Sequence, residues 1–253
     1  MEKPLFVADI TVKNTLIGIL LRSPVVSGAL LEIRTPTLPH NYSLITAADI
    51  PGRAACGIEL AESGRPNRPC EIPVFPEKEL SWYGQPVAML LGPDPDKLRS
   101  CAEQCEVVAE STENTAEKTA IVEQTYSSGS VTEAFKKAAK VVEGTYLSGI
   151  QDPWPSDPPG AIALPGPGNT MTVFTASQWP GHVRASVAQC LGIKPAKVKI
   201  EVTRQEINLD GKIWPPSLLA CQAAVGSRKL GKPVKLILTR GEDFLFSPKS
   251  AGT

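Results

Sequence analysis

No hydrophobic run in the 253 residues is long enough to cross a bilayer. The most apolar stretch, Leu16 to Leu21, falls far short of the roughly 20 residues that a spanning helix needs. The opening residues, Met-Glu-Lys-Pro-Leu-Phe-Val-Ala-Asp, do not have the pattern of a secretory leader, so a cytoplasmic location is expected. An excess of either charge is also lacking. Lys plus Arg number 26 and Asp plus Glu number 26, so the formal net charge is zero and there is no global electrostatic pull toward nucleic acid or an anionic membrane. Low net charge favours association with another chain or with a second copy. Histidine is scarce, at two residues. A Ser-His-Asp site would need His40, in a proline-rich loop, or His182, which reads as a solvated residue in the first turn of a helix, and no Gly-x-Ser-x-Gly elbow accompanies either. The six cysteines show no disulfide-framework spacing. Cys101 and Cys105 stand one helical turn apart, but no second pair with zinc-like spacing follows, and Cys56 and Cys70 read as loop residues. Packing of small apolar thiols in the core is the expectation.

Proline and glycine are plentiful, at 24 and 20 residues, and they fall at element boundaries rather than in a low-complexity tract. Thr15 to Arg22 and Ala29 to Ile33 are compact apolar runs bracketed by Pro24 and Pro36, and both read as buried strands. Residues 35–80, with seven prolines, read mostly as loop with short extended pieces. The run from Gln85 to Leu91 predicts another buried strand, Asp96 a helix cap with the helix reaching about Cys105, and Glu106 to Ala109 a further strand. Residues 111–130 are polar and rich in Ser and Thr, as an interdomain connection would be. Ser130-Val-Thr-Glu133 is a capping-box pattern that opens a helix over Val131 to Lys140, and strands are expected at Val141 to Tyr146 and Thr170 to Ala176. From Pro180, Val183, Val187, Ala188 and Leu191 share one helical face, with Gly192 as the stop. Lys197 to Val202 alternates as a strand, a helix rich in small residues runs from about Pro216 to Leu230 before Gly231, and Val234 to Thr239 closes the series. The fold class is α+β.

Acid–base chemistry has one local candidate, the pair Asp152 and Asp157 around Pro153-Trp154-Pro155, although turn chemistry explains Asp beside Pro equally well. Gly166-Pro-Gly168-Asn has no helix after it to present amides to a phosphate, so it reads as a hairpin turn.

The order of several short strings is more informative. Ala8-Asp9-Ile10, Leu21-Arg22-Ser23-Pro24, Thr46-Ala47-Ala48-Asp49-Ile50-Pro51-Gly52 and Tyr83-Gly84-Gln85-Pro86-Val87-Ala88 come first. They are followed by Val141-Val142-Glu143-Gly144-Thr145-Tyr146, Ser177-Gln178-x-Pro180 and Gly231-Lys232-Pro233-Val234 through Glu242-Asp243. Over nearly the whole chain this succession resembles the xanthine dehydrogenase/aldehyde oxidase family. The resemblance implies an a/b hammerhead-like domain over residues 1–110, a linker at 111–130, and the first part of a molybdopterin-binding α+β domain over 131–253. It also implies a molybdenum–pterin cofactor that hydroxylates carbon with oxygen from water. Gln178 matches the glutamine whose amide hydrogen-bonds a molybdenum oxo ligand, a sensible use of a donor where charge develops. Gly211 and Lys212 match the end of the family's Gly-Gly-Phe-Gly-Gly-Lys loop.

The departures define the expectation. Gln-x-His-x-x-Met-Glu-Pro becomes Gln151-Asp152-Pro153-Trp154-Pro155-Ser156-Asp157-Pro158, so histidine and methionine are replaced and glutamate has become Asp157. The glycine loop reads Ile207-Asn208-Leu209-Asp210-Gly211-Lys212, and side chains at Asn208 or Asp210 would obstruct a close backbone approach. Ile213 stands where xanthine-oxidising members often place a glutamate, and no matched position up to Thr253 supplies the proton-abstracting base the chemistry requires. No complete catalytic set is expected. The implied reading is a shortened or split large-subunit component that needs the remainder of a molybdenum hydroxylase complex. The alternative is a noncatalytic binding or scaffolding protein of the same descent. A chain that docks on such a remainder should expose a large apolar patch, or cover it by self-association.

Overall fold

The computed structural model describes residues 5–60, 68–112, 125–206 and 210–249. Its centre is a seven-stranded mixed sheet, built from β1 (Leu16–Arg22), β3 (Ser43–Ile45), β7 (Pro86–Gly92), β9 (Gly160–Pro165), β10 (Met171–Thr175), β11 (Val198–Val202) and β12 (Val234–Ile237). The order across it is β11-β10-β9-β12-β1-β7-β3. β1 alternates buried and half-buried positions, whereas every residue of β7 is buried, as continuous apolar runs dictate for strands covered on both faces. β1 runs antiparallel to β7 and parallel to β12, with Leu16 opposite Val234. Strands from both sides of the 111–130 stretch therefore complete one sheet. The fold is mixed α+β, as expected.

A smaller sheet, β6-β2-β8, joins β2 (Gly28–Arg34), β6 (Glu79–Leu80) and β8 (Glu106–Ser111). Helix α1 (Pro95–Glu103) inserts Leu98 and Cys101 beneath β7. Its cap is Asp94 rather than the expected Asp96: Asp94 accepts from the amides of Asp96 and Lys97, both at 3.0 Å, and Pro95 pre-sets the first helical φ. Between β3 and β6 along the chain, and against α3, lies a feature the proline-rich stretch concealed, the antiparallel hairpin of β4 (Ala55–Leu60) and β5 (Arg68–Pro73).

The long helices α3 (Pro180–Leu191) and α4 (Pro215–Leu230) pack together, and α4 crosses β9. Leu218, Leu219, Ala220, Ala223, Ala224 and Val225 are all buried, and each leucine there contributes about 2 kcal/mol of burial. Small residues let α4 lie close to the sheet: a Cβ at Gly226 would stand 2.8 Å from Leu91 and 2.9 Å from Met89. Both helices stop at a left-handed glycine, Gly192 and Gly231. The turn at Pro167–Asn169 joins β9 to antiparallel β10, so the expected hairpin forms there.

Two further stretches depart from expectation: β2, expected to be buried, is half-buried to exposed along its length, and the chain after Ser130 also differs. Ser130 caps α2 (Val131–Lys137), accepting from the Glu133 amide at 3.3 Å, but the helix ends at Lys137, before Lys140. Val141 to Tyr146, expected as a strand, pairs with no strand among the described residues, and 125–150 is exposed throughout. Val-Val-Glu-Gly-Thr-Tyr has strand character, but a strand forms only beside a neighbour that accepts its ladder.

Candidate functional site

Where β10 ends at Thr175, the chain turns through Ser177 and Gln178 into α3. Thr175 and Ser177 are buried, and Gln205 donates its side-chain amide to the Ser177 carbonyl at 3.0 Å. The Gln178 backbone amide donates to the Lys212 carbonyl at 2.8 Å. This bond brings the three expected cofactor-facing residues, Gln178, Gly211 and Lys212, to one place. It also fixes the connection before α3 against the turn Asp210–Lys212 that precedes α4.

The Lys212 side chain faces inward. Its ammonium donates to Asp157 Oδ2 at 2.7 Å and to the Asp157 carbonyl at 3.0 Å. The two side chains are 0% and 1% exposed. Asp157 Oδ1 meets no donor among the described residues. A buried charge survives only when paired in this way. The remaining carboxylate of the expected acid pair, Asp152, caps its own turn by accepting from the Trp154 amide at 2.8 Å and pairs with Lys249 at 2.6 Å. Asp152 and Asp157 are thus each held by a different lysine, and the pair does not form a general acid and base.

Helix α5 (Arg240–Phe246) clamps this turn. The Arg240 guanidinium donates to the carbonyls of Pro155 and Ser156, pairs with Asp243, and lies over the Trp154 ring at 5.1 Å from its centroid. Asp243 in turn accepts from Ser247. The Ser156 amide donates to Glu206 Oε2 at 2.6 Å, and bonding to Ser156 holds the Glu206 carboxyl below its ordinary value. Trp154 sits at φ +42, a conformation its bulk disfavours, held by the Asp152 cap and the Arg240 stack. Local sequence gave no signal for this clamp, because Lys212 and Arg240 stand 55 and 85 positions from the residues they hold.

His182 is not solvated. Its Nδ1 is 2.7 Å from Ser217 Oγ and its Nε2 is 2.8 Å from the Gly57 carbonyl, so the ring ties the first turns of α3 and α4 to the β4–β5 hairpin. With both nitrogens engaged, it serves structure. Cys56, expected in a loop, lies in β4 and is buried with Cys190 and Cys221, while Cys101 is buried beneath β7 and Cys105 is half-buried. Among the described residues no cluster of His, Cys, Asp and Glu could hold a metal.

These groups do not by themselves form a cradle for a molybdenum–pterin cofactor. The Lys212 ammonium is committed to Asp157, and among the described residues a side chain at Gly211 would meet only Ser247, at an ordinary 3.5 Å, with no backbone closing on that glycine. Asn208 and the side chain of Asp210 lie outside the described residues. A cleft of about 850 Å³ lies elsewhere, lined by Ile10 to Ile17, Pro93, Ile162, Gly231 to Pro233 and Lys235.

Residues 111–253 match the family model of the molybdopterin cofactor-binding domain. Aldehyde oxidase 4 of Cavia porcellus is 26% identical over 220 residues, covering 83% of this chain and 15% of that protein. Xanthine dehydrogenase of Dictyostelium discoideum is 25% identical over 216 residues, covering 81% and 15%. Quinoline 2-oxidoreductase from Pseudomonas putida 86 superposes with a TM-score of 0.80 at 21% identity, over 97% of this chain and 34% of that one. The aldehyde oxidoreductase of Desulfovibrio gigas gives a TM-score of 0.74 at 18% identity, over 98% and 30%. The chain thus spans about 15% of the length of these curated relatives and about a third of the solved neighbours. It belongs to the molybdopterin cofactor-binding domain family and corresponds to a portion of a molybdenum hydroxylase large subunit.

Proposed function

We propose that the chain acts as a large-subunit component of a xanthine dehydrogenase/aldehyde oxidase-like oxidoreductase in the cytoplasm, and that a partner polypeptide completes it. In this reading residues 1–110 are the hammerhead-like part and 131–253 the opening of the cofactor-binding part. Gln178 and the backbone at Gly211 would face the cofactor, and Lys212 would support that backbone from beneath.

One observation carries the proposal, the exposed segment 125–150. Tyr126, Val131, Phe135, Val142, Tyr146, Leu147 and Ile150 are each more than half exposed, and Tyr146 and Leu147 reach 89% and 90%. Together the seven expose several hundred Å² of apolar side chain, at about 150–250 Å² for each fully exposed aromatic ring, the kind of surface that a partner covers. In an extended chain Val142, Tyr146 and Ile150 fall on one face, and Val141 and Leu147 on the other. Apolar residues on both faces suit a strand in a covered sheet, so a full partner domain fits better than a single added strand.

The second reading, a noncatalytic binding or scaffolding protein, is favoured by the commitment of Lys212 to Asp157. Molybdenum and pterin analysis of the protein purified with its partners from its native host separates the two. About one molybdenum per chain excludes the scaffold, and none in the presence of co-purifying partners removes the component.

A further inference from the structure

Three thiols meet at the junction of the β4–β5 hairpin with α3 and α4, and the site above does not use them. Cys221, in the middle of α4, lies with its sulfur 3.7 Å from that of Cys56 in β4, and Cys190 of α3 is buried in the same cluster. All three are 2% exposed or less. The junction around them is held firmly. Gly52 and Arg53 donate their amides to the carbonyls of Cys190 and Gln189, both at 2.9 Å, His182 spans Gly57 and Ser217, and Gln222 donates to the Val74 carbonyl at 2.9 Å. The sulfur pair is therefore held at contact distance, 3.7 Å against the roughly 2.05 Å of a disulfide.

We propose that Cys56 and Cys221 form a peroxide-responsive pair whose disulfide staples the β4–β5 hairpin to α4. The Cys221 thiol gives up its proton and the thiolate attacks one oxygen of hydrogen peroxide; the O–O bond breaks, the departing hydroxide takes up that proton as water, and Cys221 becomes a sulfenic acid. The Cys56 sulfur then attacks the Cys221 sulfur, the S–O bond breaks, and a second water leaves with the Cys56 proton. In sum two thiols lose two electrons and two protons, and hydrogen peroxide becomes two waters. A small neutral oxidant suits a site this enclosed. Contact with Cys190 and Cys56, and then burial, hold the Cys221 thiol well above its ordinary value, so the step is slow and depends on local opening of the hairpin. The staple would join residues 165 positions apart, across the 111–130 stretch.

The test treats the folded full chain with hydrogen peroxide until Cys105, the half-buried thiol, is oxidised. Free thiols are then alkylated and peptides mapped without reduction. The expected result is a cross-linked peptide pair containing Cys56 and Cys221, lighter by two hydrogens, in most chains, together with slower amide exchange in β4 and a raised urea midpoint. Cys56→Ser should abolish the cross-link and the midpoint rise, while Cys101→Ser should leave both. A cross-link to Cys190 or Cys70 instead overturns the proposal, as does full alkylation of Cys56 after Cys105 has reacted. Unequal folding of the variants does not obscure the outcome, because the unsubstituted chain carries the primary readout.

Discussion

The buried pair of Lys212 and Asp157 offers the sharpest test of how this site is built. Replacing Lys212 with Met keeps most of the aliphatic stem and removes the ammonium. The Asp157 carboxylate then loses its partner at 2.7 Å, its own carbonyl loses a donor at 3.0 Å, and Oδ1 has no donor to begin with. An uncompensated charge at 1% exposure costs about 3–5 kcal/mol, a large share of the roughly 5–15 kcal/mol that holds a domain together. The double substitution Asp157→Leu with Lys212→Met removes both charges. It should recover most of that loss, because replacing a whole buried pair with apolar groups is often close to neutral. Urea unfolding at pH 7 measures both, with a constant slope required before midpoints are compared. A cost below about 1 kcal/mol for Lys212→Met, or a double variant less stable than Lys212→Met alone, would refute the account of a paired buried charge.

Other consequences follow from the same geometry. Gly52→Ala would drive a methyl into the Gln189 carbonyl and to 2.7 Å from the Gly192 nitrogen, and should cost about 1–3 kcal/mol in thermal or urea unfolding. Gly181→Ala, in the first turn of α3 with open space around it, should be neutral or stabilising by up to about 1 kcal/mol. Arg240→Lys loses the planar fork that holds the Pro155 and Ser156 carbonyls and the Trp154 ring; a loss of about 1–2 kcal/mol and a red-shifted tryptophan emission are expected. Glu206 has its folded pKa lowered by bonding to Ser156, so its contribution is full above the ordinary carboxylate value and fades as pH falls through the lowered one. The melting-temperature gap between the unsubstituted chain and Glu206→Gln should therefore shrink between pH 6 and pH 3, and a constant gap would count against it.

Periodicity made the framework legible. The runs at Leu16 and Pro86, the one-sided stripe of α3 and the two terminal glycines identify their elements because local rules decide them. The β4–β5 hairpin was hidden because its prolines, which usually interrupt strands, sit in a two-stranded ribbon with free edges. Val141 to Tyr146 misled for the opposite reason: its residues have strand character, and the missing ingredient is a neighbour. At the candidate site, family landmarks suggest Gln178, Gly211 and Lys212, but the direction in which Lys212 points depends on Asp157, and Asp157 reaches it only through tertiary folding. His182 was misread in the same way, since its partners Gly57 and Ser217 come from two distant elements.

The ladder between β1 and β12 has a consequence for synthesis. Leu16 pairs with Val234 in parallel register, so the central sheet stays open until β12 has been made. Such a topology has high contact order and folds slowly, because loop closure must come before the contacts that reward it. On the ribosome, the edge of β1 that takes β12 would wait unpaired while more than a hundred further residues emerge after β7. A holding chaperone, or early pairing of β1 with β7 and β3 as a provisional three-stranded sheet, would bridge that interval.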